Sequence, residues 1–267
     1  RTTRDFFGNP DFALGAYVSG GLGVQEYCLM PPADLKRNNL HKIDLSLGTL
    51  HQWLNVLGMP GMTAYFGLMD IGQPRPGETL VVSGAAGAVG QTVGQLAKIQ
   101  GCRVVGIAGG KAKCDWVVEE LKFDACIDYK AGAVKDGLKE YCPKGVDIYF
   151  DNVGGEILDA VLTHLNLKAR IIICGAISQY NNTTAVAGPK NYLSLLVNRA
   201  RMQGMVVFDY ADRFNEAIVE LADYLKDGKL RSREDVVAGL NTFPETLLKL
   251  FKGENFGKLI LQVAADE

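Results

Sequence analysis

Residues 79–114 read TLVVSGAAGAVGQTVGQLAKIQGCRVVGIAGGKAKC, and the fold turns on them. An apolar run (79–84) meets a cluster of small residues, a helix-like window follows (88–100), and a second apolar run (103–108) closes on two glycines and two lysines. This pattern reads as strand, helix, strand. The small residues stand where the first strand turns into the helix, with the spacing Ala85-x-Gly87-x-x-Gly90. A glycine in the middle lets an anion approach bare backbone, and the last glycine lets the helix pack close to the strand. The free N–H groups of the helix start then suit a pyrophosphate. Alanine at the first position leaves an ordinary tight strand-to-helix turn as the competing reading.

Outward from this stretch the alternation continues. Further strands are expected at 125–129, 146–151, 169–174 and 203–208, and further helices at 111–122, 132–142, 155–166 and 189–200. Continuous runs such as IIIC (171–174) suit strands buried on both faces. Right-handed crossovers then place helices on both sides of a parallel sheet, which is a doubly wound α/β (Rossmann) fold. A last helix over 212–228 ends on a glycine.

The flanks read differently, as short β-like pieces (AYVSG at 16–20, QEYCLM at 25–30) and a final strand in FGKLILQV (256–263). Residues 1–57 and 231–267 are expected to form one second, β-rich domain split in sequence, and residues 58–230 the Rossmann domain. The opening RTTRDFFGNPDF is loop-like and lacks an initiator methionine, so the chain reads as a fragment.

Composition narrows the class. The 267 residues are 48% apolar and 22% charged with a formal net charge of -2, and no basic tract calls for nucleic acid. No apolar run is long enough to span a membrane, and the six cysteines carry no CxxC spacing, as in reduced cytoplasmic proteins. Three histidines (His41, His51, His164) are poor material for zinc, and no metal site is expected. No Tyr-x-x-x-Lys occurs, which counts against a short-chain dehydrogenase.

The end of the second strand bears on the cofactor. Roughly 20 residues beyond a glycine loop, an NAD site places a carboxylate on the ribose hydroxyl. Here the chain has AGGKAK instead. Gly109 and Gly110 leave room for a 2'-phosphate, and Lys111 and Lys113 supply charge, so NADP(H) is the expected cofactor. Lysines in a first helical turn oppose the helix dipole unless an anion sits nearby.

Four blocks carry a resemblance: LGMPGMTAYFGLMDIGQPRPGETLVVSGAAGAVG (57–90), FDNVGGE (150–156), CGAISQYN (174–181) and KGENFGK (252–258). Together they resemble the zinc-independent medium-chain dehydrogenases/reductases, in the branch of prostaglandin reductases, alkenal double-bond reductases and curcumin reductases. The resemblance implies a GroES-like second domain, partly missing here, and NADPH-dependent reduction of the carbon-carbon double bond of an α,β-unsaturated ketone or aldehyde. It implies a pyrophosphate loop at Gly87, Ala88, Val89 and Gly90, and a 2'-phosphate contact at Lys113 beside Gly109. Further cofactor contacts fall on Tyr129, Asn152, Cys174, Gly175, Ala176, Ile177, Ser178, Tyr180, Val206 and Asn255. Tyr180 is the catalytic candidate, as a donor to the oxygen on which enolate charge develops.

Other roles stay open for several of these. Tyr129 could pack at a sheet edge, and Asn152 and Asn255 could be turn residues. The sequence has VQEY (24–27) where relatives often have WQEY, so part of the substrate wall departs from the pattern. The position where a zinc-binding relative would place a downstream ligand falls near Met59. MQGMVVFDY (202–210) reads as a sheet-edge strand along which the family pairs, so a homodimer is expected. A quinone reductase of a sister branch and a non-catalytic NADPH-binding protein are the rival readings.

Overall fold

The computed structural model describes Thr2 and residues 12–264. The loop-like opening lies, apart from Thr2 and Phe12, outside the described residues. Two short strands, β1 (Val18–Ser19) and β2 (His41–Lys42), pair antiparallel. The expected strand in QEYCLM does not form, and residues 25–29 are exposed. Two prolines follow at 31 and 32, where a strand would need N–H donors.

A connection with little regular structure then leads into the main body. Helix α1 (Leu50–Trp53) opens on a capping box in which Thr49 Oγ1 accepts from Gln52 N–H and Gln52 Oε1 accepts from Thr49 N–H. Its buried Trp53 donates from Nε1 to the Asp44 carbonyl at 2.9 Å. Helix α2 (Met59–Phe66) begins on Pro60 and runs directly into a π-helical turn (Gly67–Gly72). Its Phe66 is fully buried and stacks on Tyr210, ring centroids 4.7 Å apart.

From there the alternation appears in order. It comprises β3 (Thr79–Ser83), α3 (Ala88–Ile99), β4 (Arg103–Ala108), α4 (Lys111–Glu119), β5 (Ala125–Asp128) and α5 (Val134–Tyr141). It continues with β6 (Val146–Asp151), α6 (Gly155–Leu162), β7 (Leu165–Ile173), α7 (Leu193–Asn198), β8 (Arg201–Gly204) and α8 (Phe214–Lys226). The six strands form one sheet in the order β5-β4-β3-β6-β7-β8, every pair parallel. This is the doubly wound arrangement expected. Leu80 and Val82 feed one apolar cluster with α2, α3 and α8, and Val81 feeds the other with α5 and α6. Burial on both faces explains why the strands are apolar throughout rather than alternating.

Several boundaries move. The window 155–166 stops being helical at Leu162, and β7 starts at Leu165, because its backbone pairs with β6 from Val146 onward. The strand expected at 203–208 lies at 201–204; β7 ends at Ile173, whose carbonyl takes the last bond from Met205 N–H, and Val207–Arg213 turns into 3-10 helix. Helix α7 starts only at Leu193, because Asn191 before it is held by Asp159, which accepts from its N–H and its side-chain amide.

The C-terminal return consists of β9 (Glu234–Ala238), α9 (Phe243–Phe251) and β10 (Lys258–Gln262), with β9 and β10 parallel. Among the described residues the flanks therefore hold two separate two-stranded sheets. The return is mounted on α3 by two buried glutamines that act like rungs of a strand. Gln91 accepts from Arg233 N–H and donates to the Arg233 carbonyl, and Gln95 does the same at Arg231. Buried Asn55 donates to Glu234, which joins the N-terminal connection to the same place.

Candidate functional site

Chain order reverses between β3 and β6, since β3, β4 and β5 run outward one way and β6, β7 and β8 the other. Ligands of such sheets bind beyond the carboxyl ends of the strands at that reversal. A cleft of about 980 Å³ opens there, between the strand ends and the C-terminal return.

Its first edge is the glycine turn. Gly84 takes φ +63°, a conformation costly for any residue with a Cβ, and its carbonyl accepts from Gly87 N–H at 2.8 Å. Gly87 caps α3 without a side chain, so the first N–H groups of a 12-residue helix face the cleft. A Cβ on Gly90 would run into the Gly84 carbonyl. Ala85, standing where the first glycine was sought, is fully buried against Gly106, so the conformational demand falls one residue earlier, on Gly84. The S-G ending of the strand was the signal for it.

The second edge is the end of β4. A Cβ on Gly109 would come 2.7 Å from the Tyr129 hydroxyl, so the phenol lies directly over that glycine. Lys113 is half-buried and donates to the Gly253 carbonyl at 2.7 Å. Burial and the nearby Lys130 and Lys249 cations hold its pKa below the ordinary lysine value, despite Asp235. Lys111, by contrast, points away and pairs with Asp115 at 2.7 Å, with 85% of its side chain exposed. Of the two lysines offered by the sequence, only Lys113 lines the cleft.

The floor is built by β6 and β7. Asn152 donates from Nδ2 to the Ser83 carbonyl at 2.8 Å, which ties the ends of β6 and β3 together across the reversal. Buried Asp151, missed in the sequence, accepts at Oδ1 from Ser83 Oγ–H, Tyr149 O–H, Val153 N–H and Gly154 N–H. An acidic residue at a strand end before N-V-G-G was the available signal. Cys174 lines the floor as a thiol, its pKa pushed up to about 12 by burial and by Asp151.

After β7 the chain makes a 3-10 turn (Ile177–Gln179) that Ser178 pins by donating to the Val153 carbonyl at 2.6 Å. Tyr180 then folds back, and its hydroxyl oxygen accepts from Ala176 N–H at 3.2 Å. The phenol is 62% exposed at the rim, and its own O–H proton is left to donate.

The third side comes from the return. Gly257 N–H donates to the Ala86 carbonyl at 2.9 Å, and Gly257 bridges Gly87 as a parallel strand would. This contact brings Asn255 into the cleft, where its Nδ2 is already bonded to the Gly257 carbonyl. The apolar residues Phe243, Leu247, Leu250 and Phe251 of α9 line the same wall, together with Lys258, whose pKa burial depresses. Sequence reading missed these five.

The structure thus brings Gly87, Ala88, Val89, Gly90, Gly109, Lys113, Tyr129, Asn152, Cys174, Gly175, Ile177, Ser178, Tyr180 and Asn255 to one cleft. Ala176 does not line the cleft; its N–H holds Tyr180 and its carbonyl accepts from Gln179 N–H. Val206 stands after the short β8, at the start of the 3-10 helix, and does not line the cleft. Among the described residues no three His, Cys, Asp or Glu side chains converge as a metal site would require.

A protein-family model described as zinc-binding dehydrogenase matches residues 88–223, half of the chain and most of the six-stranded unit. The chain belongs to the zinc-binding dehydrogenase family. Among the described residues no donor set fits the metal of that description. Among relatives within this dehydrogenase family, the NADPH-dependent curcumin reductase of Escherichia coli (strain K12) is 45% identical over 264 residues, which are 97% of this chain and 75% of that protein. The NADP(+)-dependent 2-alkenal reductase of Nicotiana tabacum is 43% identical over 260 residues, 97% of this chain and 74% of that one. The crystal structure of CurA in complex with NADPH from Vibrio vulnificus superposes with a TM-score of 0.77 at 48% identity, covering 80% of this chain. This dehydrogenase chain spans 65% of that CurA, just under two thirds of its length.

Proposed function

We propose that this chain is the larger part of an NADPH-dependent reductase of α,β-unsaturated ketones and aldehydes. The observation that carries the reading is the Tyr180 hydroxyl, held by Ala176 N–H at the rim of the cleft that the glycine turn opens. The names of the relatives support the same chemistry. The cradle fits a dinucleotide: helix N–H groups at Gly87–Gly90 suit a pyrophosphate, and Lys113 suits a 2'-phosphate. When bound, NADPH supplies a hydride to the β-carbon of the enone. The electron pair of the double bond then moves toward the carbonyl, whose oxygen gains enolate charge, and the α-carbon finally takes a proton that comes from solvent, directly or by way of the Tyr180 hydroxyl. Tyr180 is positioned to donate a hydrogen bond to that oxygen, an interaction that strengthens as charge develops. Cys174, kept as a thiol, is a poor nucleophile toward electrophilic enones.

Two further parts belong to this reading. Met202, Val206 and Phe208 at the open β8 edge are exposed, as are Leu196 and Val197 of α7, which supports a homodimer built along that edge. All six cysteines are free, which supports a reducing, cytoplasmic setting. The division 1–57, 58–230 and 231–267 remains the working domain map.

The test follows loss of NADPH absorbance over alkenals, benzylideneacetone-like ketones, prostaglandin-like ketones and quinones. Enone turnover well above quinone turnover is expected. Tyr180→Phe should raise the barrier behind kcat by up to about 3 kcal/mol, roughly 150-fold in rate, while leaving NADPH affinity nearly unchanged. Preferential quinone turnover would favour a quinone reductase, and tight NADPH binding without oxidation by any enone would leave a binding protein.

A further inference from the structure

The lysines around Lys113 sort by who already has a counter-ion. Lys111 is paired with Asp115 at 2.7 Å, and Lys249 with Asp235 at 2.8 Å. Lys130, whose charge bears on Lys113 more strongly than that of Lys249, is in none of the ion pairs among the described residues, and the carboxylate whose charge it feels is Asp128, two residues before it. It is exposed and follows Tyr129, the residue whose phenol covers Gly109.

Its backbone is not left to the loop. Asp128, the last residue of β5, accepts at Oδ1 from Lys130 N–H at 2.9 Å and from Gly110 N–H at 2.8 Å. Gly110 is the residue before α4 and takes φ +96°. One carboxylate therefore joins the turn after β4 to the turn after β5, and these bonds, together with the Lys130 charge, hold its pKa below the ordinary aspartate value. Tyr129 N–H adds a bond to the Ala108 carbonyl at 3.2 Å. The result is a fixed recess with glycine backbone at its base and a phenol above it, flanked by two ammonium groups, Lys113 and Lys130, that feel Asp235 and Asp128 respectively but form no ion pair among the described residues. The Lys130 charge still opposes that of Lys113 despite these carboxylates, and a dianionic ligand removes that repulsion.

We propose that Lys130 is a second cation for the 2'-phosphate of the cofactor, and that Asp128 is the positioning residue that sets it opposite Lys113. The proposal rests on the NADP(H) reading above and adds two specificity-determining residues to it.

The measurement is the Kd of the whole chain for NADPH and for NADH, with adenosine 2'-monophosphate against adenosine as a smaller probe, at several salt concentrations. Lys130→Ala should weaken NADPH and adenosine 2'-monophosphate about fivefold, leave NADH and adenosine unchanged, and flatten the salt dependence. Lys130→Arg should restore most of the loss. Asp128→Asn keeps an acceptor oxygen for both N–H groups and should bind like wild type, whereas Asp128→Ala should lose NADPH affinity selectively. Circular dichroism and thermal melting confirm that each variant is folded. An NADPH-selective wild type with an indifferent Lys130→Ala variant would overturn this assignment alone. Equal loss of both cofactors in Asp128→Ala would reduce Asp128 to fold support and overturn its positioning role. A wild type that binds NADH as tightly as NADPH would overturn the cofactor reading, and this proposal with it.

Discussion

The Gly84–Gly90 turn and the Phe243–Gly257 wall face each other across one cleft, but they are held by different means. The turn closes on itself: Gly87 N–H bonds to Gly84 three residues away, and Ala85 and Ala86 are buried beneath it. The wall buries little of its own, with Thr246 the single buried residue of α9 and Leu248 54% exposed. Its attachment runs through the Gly257 N–H bond to the Ala86 carbonyl and, at the start of the return, through the Gln95 and Gln91 amides, 136 and 142 residues from Arg231 and Arg233. One side of the cleft is therefore preorganised by local backbone geometry. The other depends on a few long-range hydrogen bonds and is the softer of the two.

Gly90→Ala attacks the rigid side and should have the largest effect. The new Cβ meets the Gly84 carbonyl, which cannot give way without moving the turn, so about 3 kcal/mol of stability and most cofactor binding should be lost in denaturant and titration experiments. A near-wild-type Gly90→Ala variant would mean that the turn is as soft as the wall.

Gln91→Ala attacks the soft side. It leaves the Arg233 N–H without its partner, while the Arg233 carbonyl keeps the bond from Lys258 N–H, and should cost about 2 kcal/mol. Hydrogen exchange should show protection falling across 231–238 while the six-stranded sheet keeps its own. Uniform loss across both regions would show that the return and the sheet unfold as one unit.

Lys113→Ala cuts a side-chain bond from α4 to the wall, at the Gly253 carbonyl. NADPH affinity should drop roughly tenfold and NADH affinity hardly at all. The pH dependence follows from the sign of the shift. With its pKa below the ordinary lysine value in the free protein, Lys113 loses its charge as pH rises through that lowered pKa, so NADPH affinity should begin to fall at a lower pH than an ordinary lysine would give. Equal loss of both cofactors would recast Lys113 as a strut between the two sides.

The smallest effect tests the floor they share. Cys174, with its pKa at about 12, should be alkylated more slowly than exposed Cys28 near neutral pH, and faster as pH rises. Peptide mapping after maleimide labelling reads this directly. Labelling of Cys174 first would show that burial does not hold it as a thiol.

The amino-acid sequence by itself determined the parallel six-stranded unit, because strands buried on both faces and helices with one apolar face leave a periodicity that needs no knowledge of neighbours. It also determined the glycine turn and Lys113, whose demands are met within a few residues of chain. Only the tertiary structure decided that Lys111 turns to Asp115, that Val206 stays out of the cleft because β8 stops at Gly204, and that β7 begins at Leu165. It alone placed α9 and Asn255 opposite the turn, through bonds at Gln91, Gln95 and Ala86. A buried glutamine on a helix face carries no mark of the backbone it will meet, since that partner lies more than a hundred residues along the chain and is selected by packing rather than by local propensity.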